Sequence, residues 1–290
     1  MISHKINKGV GGALLTGFSY GLKIGAQILV KLEGDDQMDS TYLSYLVEPL
    51  INGQADYTKG NRFIHVHELK KMPLIRRIGN LGLSFLVKIS SGYWDIFDPT
   101  IDYLAITSDM LQDLEPSNIA HDYFFETSML CELHKLGAVV NDVALPAIYN
   151  DSGSSLRIGR EFLIFMKNLP IRFFDRIITQ YFQYNFSAGS FFLIQGLLLT
   201  LFGFIFRVIK WDQSAQTGVP ATTGTVLLAV LPIILGVQFL SQAIALDITS
   251  VPRKSIIKTR IIGGTHSMSS YFVQYNKEDV EIIRKATGNL

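Results

Sequence analysis

A run of carboxylates and polar side chains, KLEGDDQMDS at 31–40, is the part of this sequence best suited to chemistry. It follows an apolar segment, AQILV, that predicts a buried strand of about five residues. Side chains alternate along extended backbone, so Glu33, Asp35, Gln37 and Asp39 would project to one side if the extension continues. Such hard oxygen donors suit Mg²⁺ or Mn²⁺, especially an ion that keeps coordination positions for substrate phosphates. A solvated acidic turn with a helix N-cap has the same composition, and both interpretations stay open at this point.

The segments around this run alternate between helical and extended patterns. Residues 9–24 place apolar side chains at helical spacing and predict a Gly-rich amphipathic helix that ends at Gly25. TYLSYLVEPLIN predicts a second helix, with Asp39 or Ser40 as its N-cap, and ADYTKGN predicts a second short strand. This order predicts a layered α/β domain with a mainly parallel sheet, in which ligands bind beyond the carboxyl ends of the strands.

Composition excludes several classes of protein. The 290 residues are 48% hydrophobic and 18% charged, with a mean hydropathy of +0.26, which is high for an ordinary soluble enzyme. The formal charge of the chain is only +1, whereas nucleic-acid-binding proteins are broadly basic. Cys131 is the only cysteine, which excludes an intramolecular disulfide and a multi-cysteine zinc site, and we expect a lone buried thiol.

Two long uncharged segments predict membrane spans. No formal charge occurs in 177–206 or in 213–246, and roughly 20 helical residues cross a hydrocarbon core. We therefore expect transmembrane helices at 187–209 and 225–246, a pair of buried helices in a soluble protein being the alternative. Lysines and arginines flank the pair, and the positive-inside rule places both flanks in the cytoplasm. They are Arg157, Arg160, Lys167, Arg172 and Arg176 before it, and Arg253, Lys254, Lys258 and Arg260 after it, whereas the connecting loop is expected to hold only Lys210, with Arg207 at its edge.

Two further segments are basic and amphipathic. Residues 71–90 repeat apolar side chains at intervals of three and four with basic residues between them, which fits either a core helix or a helix on the membrane surface. Residues 156–184 interleave Arg and Lys with aromatic side chains just before the first span, so anionic lipid headgroups would attract them.

Several motifs in order resemble one known family over about 250 residues. The sequence resembles the glycosyltransferase family 2 enzymes that use polyprenyl phosphates, including dolichyl-phosphate mannose synthases and bacterial relatives with a C-terminal membrane hairpin. The motifs are NKGVGGALLTGF at 7–18, EGDDQMD at 33–39, ADYTKGNRF at 55–63, the spacing from Arg76 to Asn80, WDIFDPT at 94–100, YFFE at 123–126, VNDVALPAIY at 140–149, SSLRI at 154–158 and VPRK at 251–254.

The resemblance implies a partial GT-A-like fold and inverting transfer of a sugar from a nucleotide sugar to a polyprenyl phosphate, for cell-envelope glycan or protein glycosylation. It assigns Mg²⁺ or Mn²⁺ to Glu33, Asp35 and Gln37, with glutamate at 33 where aspartate is more usual. Asp35, Asp98 and Arg62 are its catalytic candidates. Glu126 is expected either to orient an arginine or to form a helix-face salt bridge. The candidate ligands of the acceptor phosphate are Arg62, Arg76, Arg77 and Arg157.

The resemblance also implies a domain organisation. We expect a cytoplasmic transferase domain at 1–155, amphipathic juxtamembrane helices at 156–186, a transmembrane hairpin at 187–247 in the inner or plasma membrane, and a cytoplasmic tail at 248–290. No signal peptide is expected. Relatives begin with strands that hold the nucleotide, so we expect an N-terminally truncated domain. The alternative function is a truncated or split, inactive polyprenyl-phosphate-binding membrane protein, or a subunit completed by an N-terminal polypeptide. A homo-oligomer is a separate partner hypothesis. A two-span scaffold without a ligand is a third hypothesis.

Overall fold

A computed structural model describes residues 2–32, 40–61, 74–97, 103–145, 158–184, 186–255 and 280–282. The chain divides into two compact units. The first unit comprises Met1–Arg176 and Pro252–Leu290, and the second comprises Ile177–Val251.

The first unit holds the strands and the shorter helices. Its strands are β1 (Ile2–His4), β2 (Ile28–Lys31), β3 (Tyr57–Asn61), β4 (Leu104–Thr107), β5 (Val140–Ala144) and β6 (Val280–Ile282). Its helices are α1 (Gly9–Lys23), α2 (Leu43–Ile51), α3 (Leu74–Ser91), α4 (Ser108–Asp113), α5 (Phe125–Lys135) and α6, which runs from Ile158 to Ile178. Short 3₁₀ turns occupy Ser40–Tyr42 and Pro116–Asn118.

Four strands form a mixed sheet in the order β2-β4-β3-β5. β4 is antiparallel to both β2 and β3, whereas β3 and β5 are parallel. The α/β class predicted from the sequence is confirmed, but the parallel share of the described sheet is smaller than expected. The reason is β4, a strand that the sequence patterns did not predict, which lies between the two predicted strands and runs against both. Separately, β1 and β6 form an antiparallel pair.

The start of α2 differs from the sequence-based expectation. A 3₁₀ turn at Ser40–Tyr42 precedes the helix, so the N-cap position falls on Tyr42, whose side chain makes no capping hydrogen bond. Ser40 is therefore not the N-cap, and Asp39 lies outside the described residues. A 3₁₀ turn supplies tighter hydrogen bonds at a helix end, which reduces the need for a capping side chain. Gly25, with φ of 77°, does follow the end of α1 as predicted.

A buried carboxylate joins the segment after the second unit to the sheet of the first. Asp56, immediately before β3, is fully buried. Its Oδ2 accepts a hydrogen bond from the backbone N–H of Val139 at 2.8 Å, and its Oδ1 accepts one from Ser255 Oγ at 2.6 Å. Ser255 directly follows the VPRK motif, and its hydrogen bond to Asp56 ties this part of the chain to the core of the first unit.

The second unit consists of two long apolar helices that follow a π-helical turn at Thr179–Tyr184. They are α7 (Ala188–Thr217) and α8 (Thr223–Thr249), both long and apolar enough to cross a membrane. The two predicted spans are therefore present, but α7 extends eight residues beyond its expected end. Arg207 and Lys210 consequently lie in the helix and not near its loop, and the loop at 218–222 carries no charge.

Small residues at intervals of seven form the contact between α7 and α8. Gly196 and Gly203 are buried on α7, and Ala229, Gly236 and Ala243 are buried on α8. A Cβ added to Gly203 would lie 2.9 Å from the carbonyl oxygen of Ala229, so the backbones approach closely. Sevenfold spacing is typical of helices that wrap around each other, and small residues are typical of membrane helix pairs.

Candidate active site

Four strand ends lie at one edge of the mixed sheet. Leu104, the first residue of β4, pairs with Lys31, the last residue of β2, and also with Lys59 of β3. Lys59 in turn pairs with Asp142 of β5. Since β2, β3 and β5 run in one direction and β4 in the other, three carboxyl ends and one amino end share this edge.

The segments that carry most of the predicted site residues are attached at this edge. The run with Glu33, Asp35 and Gln37 follows β2, and Arg62 follows β3. Asp98 precedes β4, whereas Arg157 directly precedes α6 and is not placed at this edge by β5. These six residues lie outside the described residues, so their roles stay predictions. The described strands show that segments distant in sequence begin or end side by side. A substrate site assembled from strand ends requires this arrangement.

Two predicted arginines and one predicted acid lie on helices. Arg76 and Arg77 are in the first turn of α3, and Arg77 is half-buried, whereas the side chain of Arg76 is outside the described set. Glu126 lies in the first turn of α5 and is only 4% exposed. The expected pairing of Glu126 with an arginine stays a prediction.

Asp142 fixes two of the strand-end segments. Its Oδ2 accepts a hydrogen bond from the side-chain amide of Asn61 at 2.8 Å and another from the backbone N–H of Phe97 at 2.7 Å. Asn61 ends β3 directly before Arg62, and Phe97 directly precedes Asp98. One carboxylate oxygen therefore sets the spacing between the starting points of both segments. The sequence reading did not assign a role to Asp142, although an acid within a short, otherwise mostly apolar strand is a signal that could have identified it.

Lys88 holds the same region to α3. Its Nζ donates a hydrogen bond to the carbonyl oxygen of Trp94 at 2.7 Å and lies 4.5 Å from the centre of the Phe97 ring. Burial lowers the pKa of Lys88, and the nearby carboxylates of Asp142 and Asp95 offset only part of this effect. Lys88 thus contacts both Trp94 and Phe97 and thereby positions the segment that leads to Asp98.

Two lysines that the sequence reading missed share one face of the sheet near this edge. Lys31 and Lys59 both pair with Leu104, and residues opposite each other in a sheet present their side chains on the same face. Lys59 is 1% exposed, and the Nζ of Lys31 lies 4.5 Å from the centre of the Phe125 ring. Lysines are rarely buried as deeply as Lys59, and positive charge at this edge of the sheet suits a site for anionic substrates.

The described ranges contain no metal-binding cluster. Within them, no group of three or more His, Cys, Asp or Glu side chains could hold a metal ion. The metal ligands that the resemblance predicts lie in the acidic run after β2, outside the described residues, so this metal site stays a prediction. That run offers two carboxylates and an amide oxygen, and this donor chemistry fits Mg²⁺ or Mn²⁺.

The chain is similar in sequence to several known sugar transferases. The chain is 32% identical over 177 residues to UDP-N-acetylglucosamine–dolichyl-phosphate N-acetylglucosaminyltransferase of Methanococcus voltae, a match that covers 59% of this chain and 68% of the relative. It is 26% identical over 160 residues to undecaprenyl-phosphate mannosyltransferase of Micrococcus luteus, covering 54% of this chain and 65% of the relative. It is 25% identical over 164 residues to polyprenol monophosphomannose synthase of Mycolicibacterium smegmatis, covering 54% and 60% respectively. No protein-family model matches the chain.

These relationships define a class of membrane-bound sugar transferases. The chain belongs to the polyprenyl-phosphate glycosyltransferases of glycosyltransferase family 2, with apolar helices toward its C-terminus. The matched regions span between 60% and 68% of the length of these three relatives.

Proposed function

We propose that this protein transfers a sugar from a nucleotide sugar to a polyprenyl phosphate in the membrane, with a GT-A-like domain carrying the reaction. The observation that carries the proposal is the shared sheet edge, where β2, β3, β4 and β5 meet the segments of the predicted site. The names of the relatives support the acceptor class, since each contains a polyprenyl or dolichyl phosphate or a product of one.

The acceptor phosphate is the nucleophile in this reaction. A phosphate monoester carries about −1.5 to −2 charge at pH 7, so it needs positioning and charge neutralisation more than a general base. We assign that role to Arg62, Arg76, Arg77 and Arg157, because a guanidinium binds phosphate through two parallel hydrogen bonds. One phosphate oxygen forms a bond to the anomeric carbon while the bond from that carbon to the nucleoside diphosphate breaks. The single displacement inverts the configuration at that carbon.

The donor side of the site is assigned to the acidic run. Glu33, Asp35 and Gln37 would hold Mg²⁺ or Mn²⁺, which when bound stabilises negative charge on the departing diphosphate. The side chain of Asp98 is assigned to the same pocket. Asp142 and Lys88 act as positioning residues, since their contacts fix the chain directly before Asp98.

The orientation across the membrane follows from the basic residues. Arg157, Arg160 and Lys167 before the helix pair, with Arg253 and Lys254 after it, outnumber Arg207 and Lys210 at the other end of α7. The uncharged loop between α7 and α8 agrees with a non-cytoplasmic location. We therefore place the transferase domain and both chain ends in the cytoplasm, on the side where nucleotide sugars are made.

The experiment is transfer of labelled sugar in membranes that contain the 290-residue chain. UDP- and GDP-sugars are supplied as donors with undecaprenyl or dolichyl phosphate as acceptor, with Mg²⁺ or Mn²⁺ and with a chelator in parallel. We expect label in the lipid fraction from at least one donor, lost with the chelator and lost in Asp35→Asn. The matched control is Asp109→Asn, an exposed acid at the first turn of α4 beyond the opposite end of β4, which we expect to retain activity. Absence of transfer from a folded, inserted chain would favour a polyprenyl-phosphate-binding protein that lacks activity by itself.

A further inference from the structure

Helix α3 leaves a row of large apolar side chains exposed, whereas its most buried described side chains are two serines and one valine. Ser84, Val87 and Ser91 are no more than 3% exposed. The opposite face carries four large apolar residues at intervals of four, three and four, each between 45% and 62% exposed. They are Leu74, Ile78, Leu81 and Phe85. We refer to these four residues as the α3 stripe.

This arrangement is the reverse of what water-soluble proteins use. A surface helix normally turns its apolar stripe toward the core and its polar side chains toward water. A contiguous exposed apolar stripe indicates an interaction surface. Side chains added to Gly79 or Gly82, beside the stripe, would meet no atom within 4 Å. Trp94 extends the surface, since its ring contacts that of Phe85 edge to face with centroids 6.4 Å apart.

The charges around α3 identify what covers the stripe. From residue 69 to residue 94 the sequence contains five basic residues and no Asp or Glu. They are Lys70, Lys71, Arg76, Arg77 and Lys88, and the first four carry the argument because Lys88 donates to the carbonyl oxygen of Trp94. A basic helix with an apolar face binds anionic lipid surfaces, where it lies about 5–10 Å deep at the headgroup boundary. The same polypeptide carries two helices able to span a bilayer, so a lipid surface is available to it. A second copy would bring the same positive charges to the contact and be repelled.

We propose that α3 lies in the interface of an anionic bilayer, with the α3 stripe among the acyl chains and Trp94 at the headgroup level. This membrane contact is separate from the spanning helices. A consequence, which rests on the proposed function, is that Arg76 and Arg77 on the same helix are held at the depth where a polyprenyl phosphate presents its phosphate.

The test places a fluorophore on the stripe of the full-length chain. Phe85→Cys is labelled with a polarity-sensitive probe and reconstituted into phosphatidylcholine vesicles with about 30% phosphatidylglycerol and brominated acyl chains, which quench nearby probes. Ile78→Cys provides a second position on the same face. The matched control is Asn52→Cys, exposed at the end of α2. Native Cys131 is fully buried, and the unsubstituted chain, labelled in parallel, measures its background.

We expect quenching at positions 85 and 78 to exceed that at position 52 by about threefold or more, and to weaken when phosphatidylglycerol is omitted. Equal quenching at the stripe and at position 52 would overturn the proposal. The probe could instead be shielded from water but unquenched, and become exposed when lipid dilutes the protein. That result would also overturn the proposal, because it would show that a second copy of the chain covers the stripe. The readout uses no substrate, so it stands even if the chain transfers no sugar.

Discussion

The carboxylate of Asp142 accepts a hydrogen bond from the backbone N–H of Phe97, 45 residues earlier in the chain, with 2.7 Å between N and Oδ2. The same oxygen accepts a hydrogen bond from Asn61, 81 residues away. The next residues in the chain are Asp98 and Arg62, both candidates for the reaction. Asp142 therefore sets the distance between the two chain positions that directly precede these candidates.

Replacing Asp142 with asparagine tests this positioning role. An amide oxygen accepts less strongly than a carboxylate, and the NH₂ group faces donors if it turns the other way. We expect kcat/KM for sugar transfer to fall by about 10- to 100-fold, since small displacements of reacting groups cost this much. Asp109→Asn, which removes the same charge away from this edge, is expected to stay near the wild-type rate. Equal rates for the two variants would show that Asp142 does not position the site.

The buried carboxylate of Asp56 makes a separate prediction about stability. In Asp56→Ala the backbone N–H of Val139 and the hydroxyl of Ser255 both lose a buried partner, which we expect to lower the free energy of unfolding by about 2–4 kcal/mol. Ser255→Ala removes only one of these hydrogen bonds and should cost about 1 kcal/mol. The midpoint of denaturant unfolding in detergent measures both. Equal losses in the two variants would contradict the central role of Asp56.

How far the sequence predicts this fold depends on how local each signal is. α1, β2, α2 and the two long helices were predicted because their apolar residues form a pattern within one segment. β4 was missed because LAIT is short and fully buried, so it has no alternation to detect. Since β4 lies between the two predicted strands, missing it also led to the expectation of a mainly parallel sheet.

The candidate site shows a similar division. The acidic run was identified because several oxygen donors occur within five residues. Asp142 and Lys59 were missed because their importance comes from partners across the sheet. Arg172 and Arg176 were expected to face lipid headgroups, but Arg172 pairs with Glu132 at 2.9 Å and Arg176, 1% exposed, donates to the carbonyl oxygen of Ile89. The sequence supplies charge, whereas the fold decides what the charge contacts.

Burial of Cys131 predicts a pH dependence. Burial raises the pKa of the Cys131 thiol from its ordinary 9.0 to about 12. Because the folded chain keeps this proton when the unfolded chain loses it, the contribution to stability is present below pH 9 and is lost as pH rises from 9 toward 12. Thiolate is the reactive form, so a maleimide should modify the folded chain far more slowly than the denatured chain at about pH 8. Equal modification rates would contradict the burial of this thiol.

Two glycines of α8 provide a matched test of the helix contact. A Cβ at Gly236 would contact Thr200 Oγ1 and lie 2.6 Å from the backbone N of Thr200, whereas a Cβ at Gly224 would meet nothing within 4 Å. We expect Gly236→Ala to lower the free energy of unfolding by about 1–3 kcal/mol through overpacking. Gly224→Ala should change it by about 0.5 kcal/mol or less, or raise it slightly. Thermal unfolding in detergent distinguishes them, and equal midpoints would contradict the close packing of α7 on α8.

The most direct test of the proposed reaction is the phosphate content of its lipid product, measured by mass spectrometry after incubation of the chain with donor and polyprenyl phosphate. If the acceptor phosphate attacks the sugar carbon, the product is a polyprenyl monophosphate sugar and the released nucleotide is a diphosphate. That is the result we predict. A lipid product with two phosphates, accompanied by a nucleoside monophosphate, would show that a sugar phosphate is transferred and would contradict the proposed mechanism.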